Sequence, residues 1–129
     1  MITNDKQTIF KHIQGLLRNY SPPYKVREDT VPNKPSYDLW AEGDFDVLGK
    51  RRKEVFFASV IVQKNFVGFY FMPIYSDPVA MEKTFSPRLM RLLKGKACFH
   101  ITQLDDELLA DIKHALQEGY ACYQERGWA

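Results

Sequence analysis

At 129 residues, with 45% hydrophobic and 26% charged side chains, the chain is long enough for one compact domain with a sizeable core. A formal net charge of +2 gives no bulk attraction to nucleic acid or to an anionic membrane, and argues against both as partners. The longest apolar run, Phe66 to Tyr75, is broken by Gly68 and Pro73 and falls short of the roughly 20 residues that a membrane span needs. Met1 to Lys6 holds no apolar signal core, so a cytoplasmic location is expected, with Cys98 and Cys122 as free thiols.

In chain order, Asn4 and Gln7 make a capping pair for a first amphipathic helix, with Ile9, Ile13, Leu16, Leu17 and Tyr20 at helical spacing and Pro22-Pro23 ending it. Tyr24 to Pro35 reads as an edge strand or ordered loop, and Tyr37 to Glu42 as a strand. Glu42 to Glu54 is charged and turn-rich, which predicts a mobile surface loop. Val55–Gln63 and Phe66–Pro73 are rich in Val, Ile, Phe and Tyr around Lys64-Asn65, which predicts a hairpin. After a looped stretch, Ser86 and Pro87 open a short helix through Leu93 that stops at Gly95, and Lys96 to Ile101 extends as a strand. Thr102 with Asp105 then resembles a capping box for a long last helix. Leu109, Ile112, Leu116, Tyr120 and Tyr123 form its apolar stripe, and Gly127 lies beyond its end.

The stretch Leu92 to Ile101, LLKGKACFHI, holds a Gly-Lys pair and a Cys-x-His pair. A phosphate loop needs strand, glycine turn and helix in that order, whereas Gly95 follows the short helix and Lys96 opens a strand, so phosphate binding is not expected there. For the hairpin, a turn at Lys64-Asn65 pairs Gln63 with Phe66, Ile61 with Gly68, Ser59 with Tyr70 and Phe57 with Met72 on one face. The other face holds Phe56, Ala58, Val60 and Val62 against Val67, Phe69 and Phe71, with no polar side chain. Burying such groups stabilises by about 1.5 to 3 kcal/mol each, so this is the expected core face. Alternation after Gly95 sends Cys98 and His100 to the mixed face. The expected ligand-binding set is therefore Ser59, Tyr70, Cys98, His100, Phe57, Phe66 and Met72, an aromatic and polar surface for a small ligand, a partner or a second copy in a homodimer. A hydrolytic alternative would pair Ser59 with His100. On the last helix, Glu107, Asp111 and Glu118 share a side with His114 and form an acidic stripe that would attract a hard cation weakly, or simply a solvated face, the favoured reading.

Val55 to Pro73, VFFASVIVQKNFVGFYFMP, followed by LLKGKACFHI and a C-terminal helix, resembles the YdhG-like domain family over nearly the whole chain. The motifs are Lys64-Asn65, Gly68-x-Tyr70 and Lys94-Gly95-Lys96. The resemblance implies a single α+β domain over residues 1–129, an antiparallel sheet with N- and C-terminal helices on one face. One branch of that family is frataxin-like, which implies intracellular iron chaperoning as an alternative, with iron as cargo on Glu107, Asp111 and Glu118. Frataxin-type sites use carboxylates along the first helix, and here that helix offers essentially Asp5 against Lys6, Lys11 and Arg18. The residues themselves favour a non-enzymatic binding module.

Overall fold

The computed structural model describes residues 1–129 and is organised by a six-stranded antiparallel sheet. Its strands are β2 (Lys25–Asp29), β3 (Ser36–Val47), β4 (Lys50–Val62), β5 (Val67–Phe71), β6 (Leu93–Lys94) and β7 (Cys98–Ile101), in the spatial order β2-β3-β4-β5-β7-β6. A separate ladder joins β1 (Ile2–Thr3) to β8 (Leu104–Asp105). The helices are α1 (Lys6–Leu17), α2 (Pro73–Ser76), α3 (Pro78–Thr84), α4 (Pro87–Met90) and α5 (Asp106–Arg126). None of them is long and apolar enough to cross a membrane.

The β4–β5 hairpin pairs in the register that alternation predicts, with Ile61 opposite Gly68, Ser59 opposite Tyr70 and Val60 opposite Phe69. Val60, Val62, Val67 and Phe69 are buried together with Phe99 and Ile101 of β7. Ile9, Ile13 and Leu17 of α1, and Leu108, Ile112 and Leu116 of α5, close over them. The aromatic contacts of Phe85 with Phe71 and Phe99 bring the α3–α4 junction onto the same side. The α+β arrangement, with all helices on one face of an antiparallel sheet, is therefore present.

One exchange interrupts the predicted pattern. Leu39 pairs with Ala58 and Trp40 with Phe56, leaving Phe57 as the extra residue of a β-bulge. The bulge turns Phe57 inward, where it is fully buried against Tyr20, Tyr24, Phe71 and Tyr123. Phe56, expected in the core, instead packs against Trp40 at the opposite face, the two rings tilted by 54°.

Several boundaries also move. Glu42–Glu54 is not a loop. It forms the outer arms of β3 and β4, joined by a tight turn at Leu48-Gly49 in which both residues have positive φ, 53° and 82°. The capping residue of α1 is Asp5, whose carboxylate accepts from the Thr8 amide at 2.9 Å. The looped stretch after Pro73 contains α2 and α3. Helix α4 ends at Met90, Leu93–Lys94 is strand β6, and Gly95 (φ 75°) turns the chain into β7 rather than stopping a helix. Asp105, not Thr102, caps α5, because residues Leu104–Asp105 are held extended by pairing with β1. At the other end Gly127 adopts the left-handed conformation that closes the helix.

Candidate functional site

The helix-free face of the sheet is built from cross-strand rows. One row crosses all six strands as Arg27, Asp38, Ser59, Tyr70, Cys98 and Lys94. The next runs Asp29, Ser36, Ile61, Gly68 and His100. Strand pleating sends these side chains away from α1 and α5, so β-structure alone brings Ser59, Tyr70, Cys98 and His100 onto one surface. Phe66 joins them, its ring stacked on His100 with centroids 3.7 Å apart and an interplanar angle of 11°.

The polar groups of Ser59 and Tyr70 are matched within the face. Ser59 is buried, and its hydroxyl donates to Asp38 Oδ1 at 2.5 Å. The Tyr70 ring lies over Gly68, where a Cβ would come within 2.7 Å of Cε2, so the missing side chain makes the ring's seat. The Tyr70 hydroxyl accepts from Gln63 Nε2 at 3.1 Å. Burial, and then a hydrogen bond to the Cys98 thiol, push the Tyr70 pKa up. Burial also raises the Cys98 thiol pKa, outweighing the opposing effect of Tyr70, and so disfavours the thiolate.

At the edge of the face the Arg27 guanidinium sits 4.4 Å from the Trp40 ring centroid and bonds both Glu42 (3.1 Å) and Glu54. It separates two carboxylates that are direct cross-strand partners, and both bonds raise its pKa. The Trp40 indole N–H is buried without an acceptor in the chain.

Two residues of the expected set lie elsewhere. Phe57 belongs to the core through the bulge. Met72 keeps its predicted pairing, its N–H donating to the Phe57 carbonyl at 3.0 Å, but it starts α2 and lines an apolar cleft at the end of the sheet. In their place the face carries Arg27, Trp40 and Phe56, whose membership depends on the β2–β3 pairing and the bulge. Neither is a local signal. A serine hydrolase site is not assembled: Ser59 donates to Asp38, and His100 lies two strands and one row away, about 10 Å or more at ordinary strand spacing.

The acidic stripe of α5 does not form a metal centre either. Asp111 accepts from Ser86 Oγ at 2.7 Å, Glu107 lies 4.0 Å from Arg88, and no three His, Cys, Asp or Glu side chains gather as a metal-binding group. These carboxylates tie α4 to α5. Asp105, bonded by both Arg88 terminal nitrogens at 2.8 Å, belongs to the same junction, and the guanidinium together with the Leu108 amide lowers its pKa.

No family model matches the chain, and neither a curated protein nor a solved structure does.

Proposed function

We propose that this protein is a non-enzymatic binding module, that its working surface is the helix-free face of the sheet, and that the occupant is a protein surface, a second copy of the chain included. The observation that carries the reading is that the helices pack on the Val60 and Phe69 side, which leaves the rows around Ser59, Tyr70 and His100 without a helix over them. Three cavities of the molecule are lined by other residues than Ser59, Tyr70, Cys98 and His100, which suits a broad partner on this face better than an enclosed small ligand. Arg, Trp and Tyr, the types that dominate interface energetics, are all present as Arg27, Trp40 and Tyr70. A partner that draws Arg27 aside would also supply the acceptor that the Trp40 N–H lacks.

Membership of the YdhG-like family belongs to the same proposal, since helices gathered on one face of an antiparallel sheet are what that resemblance implies. Iron chaperoning would need gathered carboxylates, whereas Asp111 and Glu107 are engaged separately by Ser86 and Arg88 and form no metal-binding group with Glu118.

The test is site-specific photocrosslinking in the native host, with a photoreactive phenylalanine analogue at Phe66, at Tyr70 and, as control, at the exposed Gln117 of α5. Phe66 and Tyr70 should each yield the same protein adduct, identified by mass spectrometry, and Gln117 none. Absence of any adduct at both face positions, or one equally strong at Gln117, would overturn the reading.

A further inference from the structure

The far end of the β3–β4 hairpin carries a second surface, independent of the sheet face. Val47, Leu48, Val55, Met72, Tyr75, Tyr123 and Trp128, with Ser76 the one polar member, line a cleft of about 370 Å³. Its floor is rigid. Tyr123 is fully buried and donates to the Phe56 carbonyl at 2.7 Å, and the Trp128 indole donates to the Asp46 carbonyl at 3.1 Å. Its lips are open: Leu48 is 80% exposed and Tyr75 52%.

Leu48 is anomalous on two counts. It is the only non-glycine residue with positive φ, at a turn position that favours Asn, Asp or Gly, and it presents its isobutyl group to solvent. Neither feature stabilises the fold. A leucine that costs local stability and buries almost nothing has its reason outside the isolated chain.

The charge around the cleft states what fits. Lys50 pairs directly with Val47 across the turn, and Lys96 Nζ lies 5.3 Å from the Tyr75 ring centroid. Neither ammonium has a carboxylate partner, nor do Arg51 and Arg52. Three acids at this end are already engaged: Asp77 by Arg126, Asp44 by Lys53, and Asp46 by the Gly49 amide at 3.1 Å. The geometry points to a binding site for an amphiphilic organic anion, with an apolar body of about ten carbons in the cleft and its carboxylate at the basic rim to which Lys50 and Lys96 contribute. A concave pocket of this size takes one such molecule, whereas a bilayer would call for a protruding apolar tip without a cavity behind it.

The test titrates the full chain carrying Trp40→Phe, so that Trp128 alone reports, with decanoate below its micellar limit and with decanol below its solubility limit. Calorimetry on the wild type repeats the measurement without that substitution. Decanoate should give a saturable response at one site and decanol should bind about tenfold more weakly, the ratio that one charge-assisted hydrogen bond of roughly 1.4 kcal/mol supplies. The double variant Lys50→Gln, Lys96→Gln should abolish that preference. Leu48→Asn should weaken decanoate binding several-fold while raising the thermal midpoint, because Asn accepts positive φ more readily. That opposite pair of effects separates a ligand role from a structural one. Lack of a saturable decanoate response, equal affinity for decanol, or unchanged affinity in Leu48→Asn would overturn the assignment. Cosedimentation with phosphatidylglycerol vesicles in the absence of a decanoate response would overturn it too, in favour of a membrane surface.

Discussion

The two faces of the β4–β5 hairpin are made from alternate residues of the same strands, yet they solve different problems. On the helix side Val60, Val62, Val67 and Phe69 are wholly apolar and have essentially no exposed surface. On the open side Ser59, Tyr70, Cys98 and His100 interleave hydrogen bonds with stacked rings, and partial exposure remains at Tyr70, Cys98 and His100. The first face is held by area removed from water, the second by pairwise matching of polar and aromatic groups. The centre of the open face thus satisfies itself pairwise, while aromatic and charged groups remain at its edge.

The largest expected effect sets Phe57 against Phe66. Truncating the buried Phe57 to Ala should cost about 3–5 kcal/mol in denaturant unfolding, as large-to-small core changes do. Phe66→Ala should cost about 1 kcal/mol or less, since it loses only a surface stack on His100. Equal costs would mean that the bulge at Phe57 does not invert the pattern.

Glycines on the two sides should differ next. A Cβ on Gly119 of α5 would fall 2.3 Å from Phe71 Cζ and 2.9 Å from Pro73 Cγ, so Gly119→Ala should destabilise by about 1–3 kcal/mol through overpacking. At Gly68 the obstacle is the Tyr70 ring, which can swing towards solvent. Gly68→Ala should therefore leave thermal stability nearly unchanged while Tyr70, freed from its seat, titrates closer to its ordinary 10.0 in ultraviolet absorption.

Two buried tyrosines on the helix side sharpen the point about polar matching. The Tyr24 hydroxyl has no hydrogen-bond partner, whereas that of Tyr123 bonds the Phe56 carbonyl. Tyr24→Phe should be neutral or stabilising, and Tyr123→Phe should cost about 1 kcal/mol. Burial raises both phenols above the ordinary 10.0, so the fold favours their protonated forms. Their contribution is complete below pH 10 and is lost as pH rises past it, so alkaline unfolding should begin above that value and be shallower in the double Phe variant.

Local chemistry in the sequence was enough for much of this molecule. Alternation set the β4–β5 register and with it the joint placement of Ser59, Tyr70, Cys98 and His100, because a strand's side chains have a period of two whatever lies beside it. Pro22-Pro23 ending the first helical segment, Ser86-Pro87 starting α4 and Gly127 closing α5 were legible for the same reason: each acts through its own backbone. Tertiary structure decided the rest. The bulge that sends Phe57 inward and Phe56 outward exists only in the pairing of β4 with β3. That same pairing turns the charged Glu42–Glu54 stretch into hairpin arms, with Arg27 from β2 bridging Glu42 and Glu54, which would otherwise repel each other. The start of α5 was set by β1, more than 100 residues away, whose pairing keeps Leu104–Asp105 extended and leaves Asp105 to cap the helix and hold Arg88. A strand's partner, unlike its pleat, is chosen by contacts between distant segments, and no local pattern in either segment encodes that choice.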